Sequence, residues 1–172
     1  MKYAHYDETN GKLLGWYDKE IHKEIPTPNI EVNETDWQIA IDNNCNYVDA
    51  DTNIMSIKDF RTFEQLQAVK LRELESAYNN ANQEDIEYLD TTFQADKYSQ
   101  NLIVSVLSAG SVPDEFFWLD TTNNQVTMTY GDLQGLSLAI LARSQTNFVK
   151  YQDLKSQVNT AATIDELGSV VW

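Results

Sequence analysis

Apolar positions recur at spacings of three and four residues in several stretches of the chain, and short aromatic or β-branched runs fill the intervals between them. The longest periodic stretch carries Leu133, Leu136, Ile140, Phe148, Tyr151, Leu154 and Val158. It predicts one helix of about 28 residues, roughly 40 Å long at the standard rise. Asp132 is its predicted cap, and Gly135 inside it suggests close helix packing. Just before it, Phe116-Phe117-Trp118-Leu119 and Val126-Thr127-Met128-Thr129 flank Asn123-Asn124, which predicts a β-hairpin turning at the two asparagines. A second long stripe, Phe60, Phe63, Leu66, Leu71, Leu74, Tyr78 and Ala81, predicts a helix from Phe60 to Asn82 capped by Asp59.

Shorter signals fill the rest. Tyr3 to Tyr6 and Leu13 to Tyr17 read as a hairpin with its turn centred on Asn10-Gly11. Ile25-Pro26-Thr27-Pro28 is extended, because a residue before proline is pushed out of the helical region. Ile30-Glu31-Val32 is a strand. Asn33 then caps a helix to Asn43, with Glu34 and Asp36 at the positive end of its dipole and Trp37, Ala40 and Ile41 facing inward. Tyr47-Val48 and Ile54 to Ile57 are short strands. Ile86 to Leu89 is a further strand, followed by a loop to Ala95 and a helix from Asp96 to Ser108 that Gly110 stops. Thr163 and Glu166 form a capping box for a last helical turn, Ile164 to Leu167. The sum is an α+β chain: residues 1–57 as a small hairpin-and-helix module, residues 58–172 as a helix-rich module, with the Phe60–Asn82 helix as the bridge.

Charge changes this picture in one respect. Asp and Glu number 27 against 12 Lys and Arg, a net charge of −15. Such a surface repels a phosphate backbone, so nucleic acid is not an expected partner. The charge is uneven: residues 97–172 hold only 4 basic and 7 acidic groups. A long, thinly charged helix is usually covered on more than one side, by its own domain or by a partner. The longest apolar run, Leu102 to Leu107, is far too short for a membrane span, and the polar start Met1-Lys2-Tyr3-Ala4-His5 has no secretory pattern. The lone Cys45 rules out an intrachain disulfide framework and paired-cysteine zinc, which fits a cytosolic protein.

Candidate chemistry is sparse. A Cys–His nucleophilic pair would need His5 or His22 beside Cys45, and no nucleophile signature surrounds that cysteine. Asp49, Asp51 and Asn53 space oxygens like the start of a calcium loop, but Ile54 and Phe60 occupy the positions of the loop glycine and the closing glutamate. Glu84, Asp85 and Glu87 read as a solvated loop. No phosphate-binding glycine loop is present. The expectation is no catalytic residue, no metal and no cofactor. The aromatics Trp16, Tyr17, Phe116, Phe117, Trp118 and Trp172 are the candidate partner-binding residues, most of them core and one or two of them contacts. Phe116, Phe117 and Trp118 cannot share one strand face, so at least one lies opposite the others.

Two parts of the chain resemble phage and prophage tail proteins. Tyr6-Asp7-Glu8-Thr9-Asn10-Gly11-Lys12-Leu13-Leu14-Gly15-Trp16-Tyr17, then His22, Ile25-Pro26 and Val32-Asn33-Glu34-Thr35-Asp36-Trp37, resembles the first domain of tail proteins that include fibre assembly proteins. The second half resembles the phage-tail domain DUF4376 in its Leu71–Ala81 helix, Leu89-Asp90-Thr91-Thr92-Phe93-Gln94-Ala95-Asp96, Trp118-Leu119-Asp120, Val126 to Leu133, and Ala161 to Leu167. The resemblance implies a non-enzymatic chaperone that binds a fibre tip, acting in the bacterial host cytoplasm or staying on the virion tail. It implies a tail fibre or other tail protein as partner and leaves homo-oligomers open. A structural subunit of the fibre tip or baseplate is the alternative, and a hydrolytic enzyme a minor third.

Overall fold

The computed structural model describes all 172 residues. They form an α+β fold of five helices and nine strands, with every sheet antiparallel. The chain divides into two compact units, Met1–Phe60 and Arg61–Trp172.

In the first unit, β1 (Lys2–Tyr6) lies between β2 (Leu13–Asp18) and β3 (Asn29–Val32), and β4 (Tyr47–Asp49) pairs with β5 (Ile54–Ser56). The β1–β2 connection is not a two-residue turn on Asn10-Gly11. It spans six residues, and the Asp7 carbonyl accepts from the N–H groups of Asn10 and Gly11 at 3.4 and 2.8 Å. Gly11 serves a close approach: a Cβ there would sit 2.4 Å from the Tyr47 ring and 2.6 Å from the Val48 carbonyl. That approach lets Val48 N–H donate to the Gly11 carbonyl and Leu13 N–H to the Asn46 carbonyl, which locks β4 to the hairpin. Helix α1 (Glu34–Asp42) has the predicted Asn33 cap, whose side chain accepts from Asp36 N–H. Ala40 is buried and Trp37 packs edge-on to Trp16, but Ile41 is exposed. Its place at the end of a three-turn helix rotates it past the sheet. Ala4, Ile30, Val32 and Val48 form the core.

The second unit is built on α4 (Tyr130–Thr160), 31 residues long. Its first half buries Leu133, Leu136 and Ile140 against Phe93, Ala95, Ile103 and Met128. Ile103 comes from α3 (Lys97–Ser108), Phe93 from the hairpin β6 (Ile86–Tyr88)–β7 (Thr91–Phe93), Ala95 from the link between β7 and α3, and Met128 from the residue after the hairpin β8 (Phe117–Leu119)–β9 (Gln125–Thr127). The second half of α4 buries Val158 against Leu74 of α2 (Phe63–Ala81) and against Leu167 and Val170 at α5 (Ile164–Ser169). One helix therefore carries two cores. Between them Arg143 donates to the carbonyls of Asn82, Glu84 and Asp85 just past the end of α2, where the helix dipole favours a cation. Burial lowers the Arg143 pKa from its ordinary value, while Glu84 and Asp85 oppose that.

Several boundaries differ from those the sequence suggests. The second helix starts at Phe63, not Phe60, because Thr62 and Gln65 form a reciprocal capping box. Phe60 packs instead on Tyr47 in the first unit. The α4 cap is Thr129, and Asp132 is the box partner that accepts its N–H at 2.8 Å. The loop expected after Leu89 contains β7. Leu89 and Asp90 both take positive φ, 51° and 56°, to close a two-residue turn between β6 and β7. At α5, Glu166 reaches past Thr163 to accept from Ala162 N–H. Gly135 meets no helix: it faces Tyr88, whose hydroxyl would lie 1.8 Å from a Cβ. Phe148, placed on the inward stripe, is exposed at a gap between the two cores.

Candidate partner-binding groove

The six candidate aromatics do not form one surface. Trp16 sits edge-on to Trp37 at 6.5 Å in the first core. Tyr17 stands between the rings of His5 and His22, at 6.1 and 5.1 Å. Trp172 packs edge-on to Tyr78 with Lys150 Nζ 4.5 Å from its ring centre, and belongs to the core around Val158. Only Phe116, Phe117 and Trp118 come together, on β8 and the residue just before it.

There strand alternation separates them as expected. Phe116 and Trp118 are half-buried against the core, while Phe117 and Leu119 point outward, 44% and 43% exposed. The hairpin is held by Asp120. Its carboxylate accepts from the N–H groups of Thr122 and Asn124, both at 2.8 Å, and from the Thr122 hydroxyl and the Asn124 amide at 2.9 and 3.0 Å. The Asn124 N–H bond above all keeps the Asp120 carboxyl below the ordinary carboxylate range. Asn123 takes a φ of 65° at the turn. A side chain that organises its own loop leaves little freedom to the strand before it.

Beside β8 runs an open groove of about 460 Å³. Its other wall is Gln94, Asp96 and one face of α3, with Tyr98, Leu102 and Val106. Tyr98 is 76% exposed and Leu102 41%. These α3 residues carry a sequence signal that a helix-stripe reading leaves unused. Leu102-Ile103-Val104 and Val106-Leu107 are contiguous, and a helix face takes only every third or fourth residue. Ile103 is buried in the core, so Leu102 and Val104 must lie to either side of it. The groove can bind apolar side chains; Asp96 is the only ionisable carboxylate in its lining.

Residues 65–169 match a protein-family description that reads domain of unknown function, DUF4376. The chain belongs to the DUF4376 family. The matched span begins in α2 and ends in α5, so it contains the whole groove, the core around Leu136 and most of the core around Val158, with Val170 one residue beyond it. No curated protein and no solved structure matches the chain.

The other candidate groups have local duties. His5 Nδ1 lies 2.8 Å from the Pro28 carbonyl, and His22 Nδ1 lies 3.1 Å from both the N and O of Asp18. Cys45 lines a separate groove between α1 and β5 in which no histidine takes part. Asp49 accepts from Asp51 and Thr52 N–H within its own turn, which lowers its pKa, Thr52 being the main cause. The Asp18 carboxylate accepts from Glu20 N–H and pairs with Lys2 at 2.9 Å; the first of these contributes most to its lowered pKa.

Proposed function

We propose that this chain is a non-enzymatic tail fibre assembly protein of a phage, a chaperone that binds an unassembled fibre near its tip. The observation that carries the reading is the β8–α3 groove, an apolar surface held rigidly and left open to solvent. Contiguous exposed apolar surface of this kind marks interaction sites. Tyr98, Leu102 and Phe117 are positioned for contact, while Trp16 and Trp172 hold cores. The tail-protein resemblance of Tyr6–Trp37 supports the identity of the partner. The net charge of −15 supports a holdase role, because like charge keeps a complex bearing apolar segments dispersed.

The test is co-expression with the neighbouring fibre gene. The yield of soluble, trimeric fibre rises with this chain present, and an unchanged yield overturns the reading. Mass spectrometry of purified particles addresses the structural alternative. A fibre-tip or baseplate subunit is present in stoichiometric amount, whereas a chaperone that leaves is absent.

A further inference from the structure

The groove has a second property beyond its apolar lining. In β8–β9, Met128 N–H donates to the Phe116 carbonyl and Asp120 N–H to the Asn124 carbonyl, at 3.0 and 3.1 Å. With the register Phe117↔Thr127, Trp118↔Val126 and Leu119↔Gln125, residues 116, 118 and 120 therefore face β9. The N–H and C=O groups of Phe117 and Leu119 point the other way, into the groove, and no main chain outside the hairpin meets them. The same outward edge is paired one step further on, where Thr121 N–H donates to the Thr92 carbonyl of β7 at 3.0 Å. Past that bond the β7–α3 segment parts from β8, and the groove is the gap.

We infer that the groove takes an extended segment of another protein by strand addition to the β8 edge, its alternate side chains seated on Leu102 and Val106. This rests on the reading of the chain as a partner-binding protein and adds how the partner is held. The exposed edge supplies main-chain donors and acceptors, and the α3 face supplies pockets for every second side chain, which is how strand addition gains affinity and selectivity. Charge selects the occupant. Asp96 lines the groove, and Asp114, Glu115 and Asp120 flank its Phe116–Leu119 wall in sequence, with Lys97 the one neighbouring cation in sequence. A second copy would bring another −15 to this acidic edge, so self-pairing is opposed. The segment that fits is apolar at alternate positions, free of Asp and Glu, and basic at its ends.

The test uses the full chain and a labelled synthetic peptide of about eight residues, valine alternating with threonine and a lysine at each end. Binding is followed by anisotropy, and amide exchange is read by NMR with and without peptide. The Phe117 and Leu119 amides exchange freely in the protein alone and become protected when the peptide saturates it. Phe117→Pro and Phe117→Thr both lose the ring, but only proline removes the edge N–H, which the hairpin itself does not use. Phe117→Pro therefore binds about five- to tenfold more weakly than Phe117→Thr, the worth of one main-chain hydrogen bond. No saturable binding, edge amides that stay unprotected, or a dimer whose edge is already protected overturns the inference; the exchange readout needs no variant to fold. Co-expression separates the two levels. A fibre solubilised equally well by Phe117→Pro and Phe117→Thr sinks strand addition alone, whereas a fibre that gains nothing from the wild-type chain sinks the assembly reading.

Discussion

Gly135→Ala should destabilise a helix that alanine normally favours. On propensity alone the change gains about 1 kcal/mol within α4. The surroundings reverse the sign. A Cβ at this position would lie 1.8 Å from the Tyr88 hydroxyl oxygen, 2.7 Å from Cζ and 3.2 Å from Cε2. The hydroxyl could swing aside by itself, but the ring carbons belong to a rigid side chain packed against the Phe93–Leu136 core. Tyr88 also ends β6 directly before the strained Leu89-Asp90 turn, so the strand has little room to retreat. Overpacking of this type costs about 1–3 kcal/mol. The net expectation is a loss of up to about 2 kcal/mol, with an unchanged dependence on urea. Urea unfolding followed by far-UV circular dichroism reads the second unit, which holds four of the five helices. In a Tyr88→Ala background the ring is gone, and Gly135→Ala should then stabilise by up to about 1 kcal/mol. Equal stabilisation in both backgrounds would refute the packing argument.

Three further outcomes are expected. Thr129→Ala removes the side-chain half of the α4 capping box, leaving the backbone N–H to donate to Asp132, and should cost about 1 kcal/mol, or about 2–4 °C in thermal midpoint for a chain of this size, with Asp132→Ala close to it. Arg143→Met keeps the stem but leaves the carbonyls of Asn82, Glu84 and Asp85 to water; a loss of about 1–2 kcal/mol by urea titration is expected, and no loss would mean the guanidinium is idle. Asp7, Asp18, Asp49, Asp120 and Asp132 all have lowered pKa values, each from hydrogen bonds to its charged form. Their contribution is complete above the ordinary carboxylate range near pH ~4 and is lost as pH falls through the lowered values, so the thermal midpoint should hold from neutrality to about pH 5 and drop below about pH 4.

Much of the fold was legible in the residues, and the failures have local causes. The Asn33 cap, the α3 start at Asp96 and the long α4 follow from side chains that serve the backbone beside them. Asp59 and Asp132 misled because each lies three residues from the true cap, and Asp, Thr and Gln can all serve such a box. The β6–β7 hairpin was hidden because Leu89 and Asp90 take a turn conformation that usually advertises itself with Asn or Gly. Core packing of Tyr88 and Phe93 on either side of the turn overrides local preference there. The candidate site was half legible. Alternation told that Phe117 must leave the face of Phe116 and Trp118. That Trp16 and Trp172 have intramolecular ring partners, and that α3 supplies the groove's other wall, depends on contacts far apart in sequence, which no local pattern carries.

Capture of the polypeptide from the neighbouring fibre gene by the purified chain is the decisive measurement of the proposal that this groove holds a fibre. Leu102→Asp and Phe117→Asp place charge on side chains already exposed, so both should fold with the wild-type helical spectrum. The wild-type chain should retain the fibre, and both variants should release it. Retention by the two folded variants at the wild-type level would mean that the groove does not hold the fibre.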